Sequence, residues 1–188
     1  MSRLAPWRVE GSRAIVKDRW IDLRAERCVT ERGAVLDPYY VLHYSDWVHV
    51  AAFDAEDRLV FVRQYRHGSR SLSLELPGGV MDAHESDPLV TGARELLEET
   101  GHTAATFAHL ARLSPNPAHN ANAVHLILAM GAKAVKAPEF DETEDIVVER
   151  IPWREAMAMA MAGEMIHAAH VGLLAMAVAR TKGLRFGT

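Results

Sequence analysis

Glu95, Glu98 and Glu99 stand close together in the run Arg94-Glu95-Leu96-Leu97-Glu98-Glu99-Thr100-Gly101-His102. On a helix, positions three and four apart share a face, so Glu95 would stand beside both Glu98 and Glu99. Carboxylates gathered in this way repel one another unless a cation sits among them. An all-oxygen donor set on a rigid element is what a hard divalent ion such as Mg²⁺ accepts, and Mn²⁺ accepts it too. The plainer reading is a solvated helix face on which Glu98 pairs with Arg94 at i, i+4. The surroundings favour the metal, because a Gly78-Gly79 turn and Glu85 precede the glutamates.

The elements that would position these side chains can be read locally. Pro77-Gly78-Gly79 is a turn signal. Pro88 suits the first turn of a helix, with Ser86 or Asp87 as N-cap. The helix should run to about Thr100, with Gly101 as a left-handed C-cap. Ahead of the turn, Trp47–Phe53 reads as a buried strand, 54–57 as a hairpin turn, and Arg58–Arg66 as the returning strand. Ser71–Leu76 alternates into the turn. Downstream, strands are expected over Phe107–Leu113, Val124–Met130 and Ile146–Ile151. Two more helices are expected, from Pro152 to about Met161 and from His167 to about Thr181. Residues 1–45 form a β-rich extension, with strands over Arg19–Val29 and Tyr39–Tyr44 about a turn at Glu31–Ala34. Periodicity thus predicts a mixed sheet with helices, an α+β or α/β sandwich.

The stretch from Gly79 to His102 resembles the Nudix box, Gly-x5-Glu-x7-Arg-Glu-U-x-Glu-Glu-x-Gly-U, where U is a bulky apolar residue. Gly79 and Glu85 match its first part; Arg94, Glu95, Glu98, Glu99 and Gly101 match its second. Eight residues separate Glu85 from Arg94 rather than seven, and His102 replaces the last aliphatic residue. The resemblance implies an α/β/α sandwich around a mixed sheet. It also implies hydrolysis of a nucleoside diphosphate linked to another moiety, with Mg²⁺ or Mn²⁺ as cofactor. Glu95, Glu98 and Glu99 would be its ligands, and the Gly78 carbonyl a further one.

Val62-Arg63-Gln64-Tyr65-Arg66, Leu74-Glu75-Leu76-Pro77-Gly78-Gly79 and the late acidic run Glu139–Asp145 resemble the ADP-ribose pyrophosphatase branch of that family. In that branch the residue matching Arg66 binds substrate phosphate, and Glu75 falls in the same substrate-binding set. Matching the acidic run gives Glu142 as candidate general base and Glu144 as an additional metal ligand. Those two roles are open to exchange, and Glu98 is the alternative base. The loop Ser114-Pro115-Asn116-Pro117-Ala118 is similar to one in Nudix enzymes acting on nucleotide sugars; a rigid turn explains it equally well. The branch commonly exchanges its amino-terminal β region across a dimer. The expected organisation is therefore residues 1–45 for dimerisation and substrate contact, and 46–188 as the hydrolase domain. Tyr39 or Tyr40 could stack on a nucleobase from the extension; taken singly, each is equally an ordinary packing residue.

Composition narrows the alternatives. Hydrophobic residues make up 49% of the 188, enough for a sizeable core. A net charge of −4 offers no basic footprint for nucleic acid. No apolar run approaches a membrane span, and the lone Cys28 argues against a disulfide framework, so a cytoplasmic location is expected. His119, His125, His167 and His170 lack a zinc-ligand spacing. Two other readings compete with a nucleotide-sugar hydrolase. One is a Nudix domain that senses a nucleotide without cleaving it, which would tend to lose the three glutamates. The other is a Nudix hydrolase of a nucleoside triphosphate or dinucleoside polyphosphate, against which the extension and the acidic run argue.

Overall fold

A computed structural model describes residues 4–82, 84–140 and 145–183. They form two compact units. One comprises Met1–Asp46 with Ser114–Ala123; the other comprises Trp47–Leu113 with Val124–Thr188.

The first unit is a three-stranded antiparallel sheet in the order β1 (Arg8–Lys17), β2 (Asp22–Val29), β3 (Val35–Leu42). β1 was not expected from the sequence. Its register with β2 slips between Val9 and Gly11 and again between Ala14 and Val16, and each bulge breaks the period-two pattern that betrays a strand. The strand expected from Arg19 starts only at Asp22. The Asp18 carboxylate accepts the N–H groups of Trp20 and Ile21 at 2.7 and 3.0 Å and holds them in a turn. The strand expected from Tyr39 begins at Val35. The 114–123 segment docks on β3, where Leu42 N–H donates to His119 O at 2.7 Å and Ala121 N–H to Leu42 O at 2.9 Å.

The second unit holds an eight-stranded mixed sheet. Its main path is β11 (Ile146–Pro152), β5 (Arg58–Arg66), β4 (Trp47–Asp54), β10 (Val124–Ala134), β8 (His102–Thr103). β9 (Thr106–Leu113) pairs with β10, and among the described strands of this sheet the β4–β10 pairing alone is parallel. β4 and β5 meet at Phe53 and Leu59 and then part. β6 (Ser71–Glu75) pairs with β5, and β7 (Gly78–Val80) pairs with β4, so the chain between them crosses from one strand to the other.

Alternation along β4 decides what lies on each face. Val48, Val50 and Ala52 join Leu96 of α1 (Pro88–Thr100) in one core. Ala51 and Phe53 join Ala156 of α2 (Trp153–Met161) and Leu173, Leu174 and Ala177 of α3 (Ala168–Lys182) in the other. The result is the expected sandwich of helices about a mixed sheet. α1 has its predicted ends: the Asp87 carboxylate caps it by accepting Leu89 N–H at 2.9 Å, and Gly101 closes it at φ 68°. No helix among the described residues is long and apolar enough to cross a membrane.

Candidate active site

The β6–β7 crossover and α1 meet at a cavity of about 610 Å³ lined by Gly78, Gly79, Glu95, Glu99, Arg66 and Glu75, together with Gln64, Trp47 and four histidines. Glycine is needed at Gly78. Gly78 sits at φ 153°, and a Cβ there would lie 2.0 Å from the Val48 carbonyl oxygen. A Cβ on Gly79 would lie 2.6 Å from Oε1 of Glu95, so the carboxylate rests directly on the backbone. The buried Glu99 accepts the Gly78 N–H at 2.8 Å. The expected helical face and turn are thus brought together at Gly78, Gly79, Glu95 and Glu99.

Arg94 is the cation that the structure places among the acidic groups. Its guanidinium donates to Glu85 at 3.1 and 3.2 Å and to Glu98 at 2.8 Å, and it pairs with Glu95 at 2.9 Å. Glu98 therefore makes the i, i+4 pair of the plainer reading, with its side chain 42% exposed. Glu85, followed by the extra residue, pairs with Arg94. It also accepts Asp82 N–H and the Thr91 hydroxyl, at 3.0 and 2.8 Å. Arg94 is the main reason that the Glu85 carboxyl is held down to about 2, against the opposing effect of burial.

A carboxyl held below its unfolded value of 4.5 stabilises the fold above that pH and loses its contribution as pH falls toward the folded value. Melting temperatures of the parent and Glu85→Gln should therefore differ at pH 7 and converge between about 4.5 and 2. A gap that stays constant to pH 2 would refute this.

Among the described residues, no three His, Cys, Asp or Glu side chains are grouped so as to hold a metal ion. The donors nonetheless suit one. Glu95 and Glu99 open on the same cavity beside the Gly78 backbone, an all-oxygen set that a hard divalent ion accepts, and the Glu95 carboxylate lies against Gly79. Glu142 and Glu144 lie outside the described residues. Tyr39 and Tyr40 belong to the first unit. Neighbours on a strand face opposite ways, and Tyr39 stacks on His119, meets Trp7 edge-on and donates its hydroxyl to Ala118 O.

On the cavity's other wall Arg66 forks onto Glu75, with Nε to Oε1 at 3.0 Å and Nη2 to Oε2 at 2.6 Å. Burial pushes the Glu75 carboxyl up, but the Arg66 fork and nearby charge outweigh it and hold it below its ordinary range. Arg66→Ala would strand a buried carboxylate, a loss that typically costs ~2–5 kcal/mol. The low end, about 2 kcal/mol, is expected because the Arg66 side chain is 47% exposed and water screens the pair. Adding Glu75→Gln should restore most of the melting temperature; a double variant no more stable than Arg66→Ala would contradict the assignment.

Sequence reasoning missed His49 and His170 as parts of this wall. Their rings pack 4.2 Å apart between centroids, and His167 lies 4.4 Å from His170. Burial, then nearby charge, pushes His49 down to about 4 and His170 well below the ordinary histidine value. The available signal was parity, since His49 shares the face of Ala51 and Phe53 and so turns toward α3.

The NUDIX domain family matches residues 43–169. The chain belongs to the Nudix family. It is a Nudix hydrolase, an enzyme acting on pyrophosphate bonds. Residues 7–42 match the family described as the nucleoside diphosphate sugar hydrolase N-terminal domain. An ADP-ribose pyrophosphatase of Mycobacterium tuberculosis is 32% identical over 155 residues, covering 81% of this chain and 74% of that protein. A CMP-5'-(N-acetyl-N-hydroxy-3-aminopropyl)phosphonate hydrolase of Streptomyces rubellomurinus is 29% identical over 170 residues, 90% of this chain and 81% of that one. The crystal structure of an ADP compounds hydrolase matches with a TM-score of 0.84 at 22% identity, over 97% of this chain and 98% of that chain. At that identity the likeness speaks for the fold alone.

Proposed function

We propose that this Nudix hydrolase cleaves the pyrophosphate of a nucleoside diphosphate linked to a sugar, ADP-ribose or a nucleotide sugar such as GDP-mannose, with Mg²⁺ or Mn²⁺. The observation that carries the proposal is one cavity edged by the Gly78-Gly79 turn and Glu95 and Glu99 on one side and by Arg66 on the other. Anionic metal donors thus face a cationic phosphate donor. Glu95, Glu99 and the Gly78 carbonyl would hold the ion, with Glu98 joining them and Glu144 adding a ligand. A bound divalent ion neutralises diphosphate charge and makes its water more acidic.

The residues of the chain do the remaining work. Arg66 has five N–H donors, of which two bind Glu75, and the others can take phosphate oxygens. Glu75 fixes the direction in which the guanidinium points. Glu142, as general base, takes the proton of the attacking water. The water oxygen bonds to phosphorus and the bridging P–O bond breaks, giving a nucleoside monophosphate and a sugar phosphate. The lone free Cys28 accords with a reducing cytoplasm. A hydrolysis panel of ADP-ribose, GDP-mannose, ADP-glucose, UDP-glucose, FAD and deoxynucleoside triphosphates tests the substrate class. Preference for a triphosphate would overturn it.

We further propose a homodimer in which residues 1–45 serve assembly and base contact while 46–188 carry the chemistry. In the single chain β1 is exposed along its whole length, with Val9, Ile15 and Val16 open to solvent, and an open edge strand invites a partner. Tyr40, 46% exposed, is the tyrosine whose ring is available for a nucleobase, since Tyr39 is held by its neighbours. Light scattering at micromolar concentration should give twice the chain mass, and Tyr40→Ala should raise KM more than it lowers kcat. A monomer, or a normal KM with lower stability, would refute the respective halves.

A further inference from the structure

Leu76 stands where the chain leaves one strand and joins another. Ser71–Glu75 pairs with β5 and Gly78–Val80 with β4, and neither ladder includes Leu76. Leu76 is buried, at 1% exposure, so its amide hydrogen needs a partner. That partner is Nδ1 of His170 on α3, which accepts the Leu76 N–H at 2.9 Å. One residue on, Pro77 O accepts from Val50 N–H at 2.8 Å, and at Gly78 the N–H goes to Glu99. The crossover is therefore pinned from both faces of the sheet, by α3 at Leu76 and by α1 at Gly78.

The bond also fixes the tautomer of His170. A ring nitrogen that accepts carries no proton, so the neutral ring bears its hydrogen on Nε2. That atom is buried, has no hydrogen-bond partner, and lies 3.9 Å from Oε2 of Glu75. The ring packs on His49, whose backbone is opposite Gly78 in the β4–β7 ladder. His170 thus touches the crossover, the strand that receives it and the surroundings of the Arg66–Glu75 fork.

We propose that His170 is a positioning residue for hydrolysis: by accepting the Leu76 N–H it sets where the Gly78-Gly79 turn meets Glu95 and Glu99. The inference rests on the reading of that turn as the metal-holding edge of the site.

His170→Asn retains an acceptor oxygen near the place of Nδ1, whereas His170→Leu fills similar space without one. In metal-free protein, Leu76 amide exchange should be about tenfold faster in His170→Leu than in the parent, matching the loss of one hydrogen bond, and nearly unchanged in His170→Asn. In the hydrolysis assay His170→Leu should need about tenfold more Mg²⁺ for half-maximal rate. KM for the nucleotide at saturating Mg²⁺ should hold, and His170→Asn should restore the Mg²⁺ requirement. Equal impairment by both variants, or an unchanged Mg²⁺ requirement in His170→Leu, would overturn the proposal. Should His170→Leu not fold, NMR of the parent decides: scalar coupling between the Leu76 amide nitrogen and His170 Nδ1 supports the proposal, and its absence overturns it. The exchange arm needs no turnover, so a parent that hydrolyses nothing yet shows the exchange difference sinks the functional reading and leaves the hydrogen bond standing.

Discussion

Glu99→Gln should all but abolish turnover while leaving the fold intact. The buried Glu99 accepts the Gly78 N–H at 2.8 Å, and a glutamine carbonyl can accept the same hydrogen. The substitution therefore spares the link between α1 and the turn and removes only the charge. A metal-bound site stabilises transition-state charge by several kcal/mol. Losing about 4 kcal/mol of it lowers kcat by ~10³-fold. Circular dichroism and melting should match the parent. An unchanged kcat in saturating Mg²⁺ would remove Glu99 from the metal site.

Glu142→Gln should lower kcat by ~10²–10⁴-fold, the usual contribution of a general base. KM should move little, because the base acts in the transition state. Glu75 is committed to the Arg66 fork, Glu99 to the Gly78 N–H, and Glu95 and Glu98 to Arg94. The candidacy of Glu142 comes from the resemblance of the acidic run to the ADP-ribose pyrophosphatase branch. If Glu144→Gln shows the expected pattern and Glu142→Gln does not, their roles are exchanged. If neither does, Glu98 becomes the base; its side chain is 42% exposed and, among the described residues, accepts from Arg94.

What could be read from the sequence was local. Asp87, Pro88 and Gly101 mark the ends of α1 because caps and left-handed closures act within a turn of the residues they end. Trp47–Asp54 and the first half of Arg58–Arg66 read as continuous apolar runs because both of their faces are buried, whereas Ser71–Leu76 alternates. β1 escaped notice because two bulges within ten residues destroy the alternation. The cavity wall escaped for another reason. Arg66 reaches Glu75 across a hairpin, and His170 serves an amide 94 residues away. No periodicity records a contact made through the fold. The Arg94–Glu98 pair was legible as an ordinary i, i+4 bridge, and the structure retains it. The same side chains carry both that bridge and the proposed metal site, so spacing alone could not separate the two.

The most direct test of the central claim is metal-dependent cleavage by the stripped enzyme. Protein freed of divalent ions with a chelator is incubated with ADP-ribose, and phosphorus NMR follows the products as Mg²⁺ or Mn²⁺ is added back. No cleavage is expected before addition. AMP and ribose 5-phosphate should then appear in step with the ion, and neither should appear with Glu99→Gln. Full activity in excess chelator, or a Glu99→Gln enzyme that responds to the ion as the parent does, would contradict the claim.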